Sequence, residues 1–254
     1  MTPQSISAFF PAYNDAGTIG DLVITALQTL QQITPDYEVV VVNDGSTDHT
    51  ARVLNELARR NPRVRVIHHD RNRGYGAALR TGFANARKEW VFYTDGDGQY
   101  DPRELLRLVR AVRDDVDIVN GYKIFRCDPL HRIVFGLVYH HVTRLAFGFR
   151  LRDVDCDFRL IRRRVLERVP LESNTGVICV EMVKKFQDAG FRFAEVPVCH
   201  FHRVYGKSQF FQFRRLCRVA VHLVRLWYQL VIRRAHLQPE SSTVCATVRG
   251  NVHA

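Results

Sequence analysis

The stretch Trp90-Val91-Phe92-Tyr93-Thr94-Asp95-Gly96-Asp97-Gly98-Gln99 decides how this chain is read. An apolar run ends abruptly, and Asp95, Asp97 and Gln99 then place side-chain oxygens at alternate positions. Gly96 and Gly98 lower the steric cost of a tight turn between them, and carboxylate and amide oxygens suit a hard cation such as Mg²⁺ or Mn²⁺. Two carboxylates this close repel unless a cation or a proton neutralises them. The loop is no EF-hand: Tyr100 occupies the position that needs Gly, and Leu106 stands where a bidentate Glu is required. Trp90–Thr94 therefore reads as a strand whose carboxyl end carries a candidate cation site, of most use where it meets a diphosphate.

Upstream, short apolar runs alternate with helix-like segments, the pattern of β-α-β units. Strands are expected at Ile6–Pro11, Tyr37–Asn43, Arg63–His68, Trp90–Thr94 and Val116–Asn120. Helices are expected at Thr18–Gln32, Thr47–Arg60, Tyr75–Arg87 and Pro102–Arg113, the last with Pro102 at N1 and Asp101 as N-cap. The fold class is α/β: a layered, Rossmann-like arrangement with a mostly parallel central sheet. Downstream, a helix at Pro129–Phe147, a strand at Phe158–Arg162, a helix at Val177–Ala189 and a strand at Arg192–Val198 follow. Phe210–Arg234 reads as an amphipathic helix, with Leu216, Val219, Ala220, Leu223, Trp227, Leu230 and Val231 on one stripe and Arg218, His222, Arg225, Gln229 and Arg233 on the other. The expected division is a catalytic domain over 1–208, this helix over 209–236, and a disordered tail over 237–254.

The chain has 254 residues, 46% apolar and 25% charged, with a formal charge of +11, which implies polyanionic company. No recognisable nucleic-acid motif accompanies the charge, so nucleic acid is not an expected partner. Six cysteines without a C-x-x-C pair point to a reduced cytosolic chain rather than a disulfide framework or a zinc site. The N-terminus lacks a basic signal region, and His222 and Arg225 interrupt the best candidate for a membrane span.

In open α/β sheets ligands sit beyond the carboxyl ends of the strands, and three polar clusters fall there: Tyr13-Asn14-Asp15, Asn43-Asp44-Gly45-Ser46-Thr47-Asp48 and Asp95–Gln99. Asp44 follows the apolar run Val39–Val42 and is placed to accept from a ribose or a base edge. Ser46 or Thr47 alternatively caps the next helix. Asn72–Gly82 fails as a dinucleotide fingerprint because Leu79 stands where the third glycine belongs. Its Gly74 and Gly76 either let a helix start approach a phosphate or sugar closely, or form a plain helix-entry turn.

Taken in order, Ala12–Asp15, Asn43–Asp48, Arg73–Ala78 and Asp95–Gln99 resemble the motif set of family 2 glycosyltransferases of GT-A fold, and among these the dolichyl-phosphate mannose synthase-like, polyprenyl-phosphate enzymes. The resemblance covers about Ile6–Phe211. It implies a UDP- or GDP-hexose donor and a divalent metal, Mg²⁺ or Mn²⁺, held by Asp95, Asp97 and Gln99. Donor contacts are implied at Pro11, Tyr13, Asp15, Asp44, Gly76, Asp95 and Gly96. Asp15 stands where Glu is common in the family, and Asn43 where Asp is frequent. Lys123, Arg126 and Arg132 resemble an acceptor-proximal segment, and Arg203, Lys207 and Ser208 a later basic loop closing over phosphate. Asp97, Asp157, Arg126 and Arg132 are the candidate catalytic residues. The implied activity is a metal-dependent, inverting transfer of a hexose to a polyprenyl phosphate by a peripheral enzyme on the cytoplasmic membrane face. A phosphate acceptor is largely dianionic at neutral pH and needs no base. With a hydroxyl acceptor, the alternative, Asp157 becomes the candidate base, unless it pairs with Arg159 or a neighbouring arginine. A third reading is a non-enzymic basic module on an anionic membrane: from Val196 to Pro239 there is no Asp or Glu, against eight Lys and Arg.

Overall fold

The computed structural model describes residues 2–126, 130–203, 205 and 213–237, with side chains at 125, 126, 130–135, 137 and 213–217 outside the description. Strands β1 (Ser5–Ala12), β2 (Asp36–Asn43), β3 (Val64–His68) and β4 (Trp90–Thr94) pair in parallel. They are joined by helices α1 (Ile19–Ile33), α2 (Thr50–Arg60) and α3 (Tyr75–Asn85). A 3₁₀ turn at Pro102–Glu104 leads into α4 (Leu105–Arg110), β5 (Ile118–Arg126) and α5 (Leu130–Phe147). Then follow β6 (Phe158–Arg162), α6 (Arg163–Arg168), α7 (Ile178–Asp188), β7 (Phe193–His200) and α8 (Phe213–Trp227), which runs into a π-turn over Tyr228–Ile232.

The seven strands among the described residues form one sheet in the order β3-β2-β1-β4-β6-β5-β7. β6 alone runs against its neighbours, antiparallel to β4 on one side and β5 on the other. Both faces are covered. Ile6, Ala8 and Phe10 of β1 join Trp90 and Phe92 of β4 in one core, whereas Phe9, Val91 and Tyr93 join Leu79 of α3 and Met182 of α7 in the other. Burial on two faces is why Val39–Val42 and Trp90–Tyr93 are continuous apolar runs instead of alternating ones.

Several expected bounds shift for local reasons. α2 starts at Thr50, because Ser46 and Thr47 are engaged elsewhere: Ser46 Oγ accepts from Asn14 N at 3.0 Å, and Thr47 N donates to Asn14 Oδ1 at 2.8 Å. Asp48 Oδ1 instead accepts from Thr50 N at 2.9 Å. The helix expected to Arg113 stops at Arg110, with Ala111 and Val112 closing tighter bonds to Leu108 and Val109. Asp101 does cap its start, accepting from Arg103 N at 2.9 Å. β5 begins at Ile118 and continues through Gly121 to Arg126, beyond the Val116–Asn120 expected.

A third core lies under α8, where Leu226, Leu230, Val219, Leu223, Trp227 and Val231 pack with Phe147, Phe149, Val177 and Val180. Trp227 Nε1 donates to Ala146 O at 2.9 Å and ties α8 to α5. Ala220, expected on the buried stripe, is exposed, as are Val221, Val224, Tyr228 and Ile232 beside Arg218 and Arg225. The tail from 238 onward lies outside the described residues. Among the described residues no helix is long and apolar enough to cross a membrane.

Candidate active site

The three strand-end clusters are knitted into one wall. Asp15 N donates to Thr50 Oγ1 at 3.0 Å, Ala16 N to Asp48 Oδ2 at 3.3 Å, and Thr18 Oγ1 to Gly96 O at 2.9 Å. A Cβ on Gly96 would meet Pro11 O at 2.7 Å, so glycine is what lets the Asp95–Gln99 turn close against the end of β1. Gly98, at φ 78°, makes the turn itself. Pro11 and Gly96 are thus neighbours, and Tyr13 is exposed beside them, its N–H held by Asp15 Oδ2 at 2.9 Å. Burial pushes the Asp15 carboxyl up to about 6, against the pull of the Tyr13 N–H.

Asp44 accepts three hydrogen bonds from the protein. Oδ1 receives His69 Nδ1 at 2.7 Å and Arg73 N at 2.8 Å, and Oδ2 receives Gly74 N at 3.0 Å. It holds the 71–74 loop in place with oxygens that the sequence reading assigned to a ribose or base. Gly76 is likewise explained by packing, because a Cβ there would lie 2.3 Å from Ser173 O and 2.7 Å from the Asn174 carbonyl carbon. The close approach is to the chain's own backbone.

Asp95 and Asp97 lie at the centre. Asp95 Oδ1 accepts from Tyr75 OH at 2.7 Å. Burial, then the charges of Asp157 and Asp97, push its carboxyl well above the usual range. Asp97 Oδ1 accepts from Gln99 N at 3.0 Å, and its other oxygen is bound by the Arg203 guanidinium. Burial raises Asp97 too, while Arg203 opposes the rise. Gln99 turns its amide to Phe201 O at 3.1 Å through Nε2. The donor chemistry fits a hard divalent cation: crowded, desolvated carboxylates whose mutual repulsion one positive charge would relieve. Asp95 and Asp97 are the residues suited to hold it, whereas Gln99 has only Oε1 left to offer.

Asp157 arrives through β6. Thr94 pairs with Phe158 in the antiparallel β4–β6 ladder, so the next residues outward, Asp95 and Asp157, leave two neighbouring strands side by side. Asp157 Oδ1 accepts from Tyr93 OH at 3.2 Å and Cys179 Sγ at 3.1 Å. The pairing with Arg159 considered from sequence is not formed. Arg159, fully buried, donates instead to Asn120 Oδ1 at 2.6 Å, Tyr93 OH at 2.8 Å and Val154 O. Burial and the nearby carboxylates hold the Tyr75 and Tyr93 hydroxyls well above their usual range, so both remain proton donors.

Of the acceptor-side basic residues, Arg203 reaches the centre, carried by a segment in which Cys199 N donates to Glu104 Oε2 and Phe201 N to Gln99 O, each at 2.8 Å. Lys123 turns inward: Nζ donates to Asp155 O at 2.7 Å, and although burial alone would lower the ammonium, Asp153 and its acidic neighbours hold it above its usual range. It braces the 153–157 loop instead of lying open for phosphate. The side chains of Arg126 and Arg132, with Lys207 and Ser208, lie outside the described residues. Sequence reasoning missed Tyr75, Tyr93, Arg159 and Cys179. Tyr93 sits inside an apolar run and Cys179 on a helix, so neither carries a local signal.

Comparison with known proteins identifies the family. The model of glycosyl transferase family 2 matches residues 7–169. The chain belongs to that family. It is 33% identical over 237 residues to glycosyltransferase AglD of Haloferax volcanii, covering 90% of this chain but 38% of AglD. It is 28% identical to the undecaprenyl-phosphate 4-deoxy-4-formamido-L-arabinose transferase of Edwardsiella ictaluri, covering 91% of this chain and 68% of that protein. The chain therefore spans well under half of the first of these relatives and about two thirds of the second. Among solved structures, glucosyl-3-phosphoglycerate synthase from Mycobacterium tuberculosis, in complex with Mn²⁺, UDP and glucosyl-3-phosphoglycerate, superposes with a TM-score of 0.66 at 18% identity over 94% of this chain and 82% of that one. The mannosyltransferase PcManGT from Pyrobaculum calidifontis, in complex with GDP-Man and Mn²⁺, gives 0.64 at 23% identity over 92% and 65%. These likenesses establish the GT-A fold.

Proposed function

We propose that the chain transfers a hexose from UDP- or GDP-hexose to a polyprenyl phosphate, with inversion and with a divalent cation, Mg²⁺ or Mn²⁺, at the cytoplasmic face of a membrane. The observation that carries this reading is the meeting of Asp95, Asp97, Asp157 and Arg203 where the carboxyl end of β4 lies beside the amino end of β6. Two further facts support it. Relatives named for undecaprenyl phosphate align over most of the chain, and solved members of the fold hold UDP or GDP-Man with Mn²⁺.

An oxygen of the acceptor phosphate attacks the anomeric carbon and forms the new C–O bond as the bond from that carbon to the donor diphosphate breaks. The nucleoside diphosphate leaves with the electron pair, and a single displacement inverts the centre. The dianionic phosphate carries no proton that must be removed. The protein's task is to bring two anions together and align them, and Arg203 is the described cation at the centre that can serve either phosphate. Asp95 and Asp97 would hold the cation, which would neutralise the charge developing on the departing diphosphate.

Membrane association rests on α5 and α8. Val138, Val142 and Leu145 of α5, Val221 and Val224 of α8 and Tyr228 of the π-turn that follows are exposed apolar residues, and α8 adds Arg218 and Arg225. An apolar face with basic residues suits an anionic lipid surface.

A hydroxyl acceptor is the second reading, favoured by the placement of Asp157 beside Asp95, where a carboxylate can take a proton. Incubation with labelled UDP- and GDP-hexoses and undecaprenyl phosphate separates the two. Label entering the organic phase supports the lipid acceptor, and cation-dependent donor turnover with no label in that phase overturns it.

A further inference from the structure

Two carboxylates at the centre, Asp95 and Asp157, each have one oxygen taken by a donor that fixes its rotation. For Asp95 the donor is Tyr75 OH, at 2.7 Å from Oδ1. For Asp157 it is Tyr93 OH, at 3.2 Å from Oδ1, seconded by Cys179 Sγ at 3.1 Å. Oδ2 of Asp95 and Oδ2 of Asp157 accept no protein hydrogen bond among the described residues. The two tyrosines reach the carboxylates from different supports. Tyr75 opens α3, where Gly74 and Gly76 bring the helix start against the Ser173–Asn174 backbone. Tyr93 is fully buried in β4, and its hydroxyl oxygen accepts from Arg159 Nη1 at 2.8 Å while its proton goes to Asp157. Arg159 is in turn anchored on Asn120 Oδ1 at 2.6 Å, and Asn120 Nδ2 donates to Asp153 O at 2.9 Å.

We infer that Tyr75 and Tyr93 are positioning residues with divided duties: Tyr75 sets the oxygen of Asp95 that faces a cation, and Tyr93, backed by Arg159, sets the carboxylate of Asp157, which stands beside Asp95 and outside the pair suited to the cation. A hydroxyl bonded to one carboxylate oxygen stops the group rotating and leaves the other oxygen aimed at one place, as the outer partners of metal ligands do. Each tyrosine acts through the carboxylate that its hydroxyl bonds. Because the two clamps act on different carboxylates, their removal separates two quantities that a general loosening of the site would change together. The inference rests on the proposed cation-dependent transfer.

The test uses the full chain as wild type, Tyr75→Phe and Tyr93→Phe. Mn²⁺ binding is followed by electron paramagnetic resonance of the free ion in the presence of UDP, and transfer from labelled UDP-glucose and GDP-mannose to undecaprenyl phosphate is measured alongside. Tyr75→Phe is expected to weaken Mn²⁺ binding by about 10- to 100-fold. Tyr93→Phe is expected to leave Mn²⁺ affinity within about two-fold while lowering kcat by about 10- to 100-fold at unchanged donor KM. If Tyr93→Phe fails to fold because Arg159 loses an acceptor, Cys179→Ala, which removes the other donor to the same oxygen, takes its place with the same split expected. Wild-type Mn²⁺ affinity in Tyr75→Phe, or equal losses of both quantities in both variants, overturns the inference and leaves the proposed function standing. A wild-type chain that binds no Mn²⁺ overturns the proposed function and the inference with it.

Discussion

The Arg203 guanidinium is bonded to Asp97 across 106 residues of chain, so the carboxylate best suited to a cation already has a positive partner. A divalent ion held by Asp97 would compete with Arg203 for the same oxygen. Arg203→Gln is therefore expected to tighten binding of Mn²⁺ to the protein alone by roughly 1 kcal/mol, about five-fold, the upper range for a partly exposed pair. The same variant should slow transfer, since its charge is lost to the phosphates. Isothermal titration with Mn²⁺, beside an initial-rate assay, gives both signs, and unchanged Mn²⁺ affinity refutes the competition.

Asp97→Ala removes a carboxylate suited to the cation without touching α5 or α8. Sugar transfer should fall by about 100-fold or more, the several kcal/mol a bound cation supplies, while sedimentation with anionic vesicles stays as in wild type. Val224→Glu should do the reverse at the exposed face of α8, weakening vesicle binding with Mn²⁺ affinity intact. Unchanged transfer by Asp97→Ala would leave the non-enzymic membrane module as the better reading.

Gly76→Ala places a methyl group 2.3 Å from Ser173 O. Backbone must move to admit it, and such overpacking costs about 1–3 kcal/mol. Urea denaturation should show a lower midpoint at similar slope. A midpoint equal to wild type would mean that the 173–174 segment yields freely.

Burial lifts Asp15 to about 6 and Asp155 to about 7, both above their unfolded values. Between the unfolded and folded values the native chain binds more protons than the unfolded one, so stability falls as pH rises through that window. Melting temperatures of the wild type should therefore decline from about pH 4 toward pH 7 through these two groups, and Asp15→Asn with Asp155→Asn should flatten that decline. A slope unchanged by both substitutions refutes the assignment.

Much of the framework was legible beforehand. The runs Val39–Val42 and Trp90–Tyr93 announced two-sided burial, and Asp101 before Pro102 announced a helix entry that the structure contains. α6 was not foreseen, since its six residues are too few to show helical periodicity. For Gly76 the sequence left open an approach to a phosphate or sugar and a plain helix-entry turn, and the structure packs it against Ser173 and Asn174, because a glycine in sequence declares that something comes close without saying what. Lys123 was read toward phosphate and turns to Asp155 O, a choice set by the fold of a loop 32 residues away.

What the sequence by itself determined is the parallel first half and the polar clusters at its strand ends: periodicity and turn chemistry are local, and consecutive β-α-β units leave their carboxyl ends on one side. What only the tertiary structure decided is the company these clusters keep. The antiparallel insertion of β6 between β4 and β5 sets Asp157 beside Asp95, and the segment after β7 returns Arg203 to Asp97. Such pairings join residues far apart in the chain through sheet order and register, and neither is written in any local period.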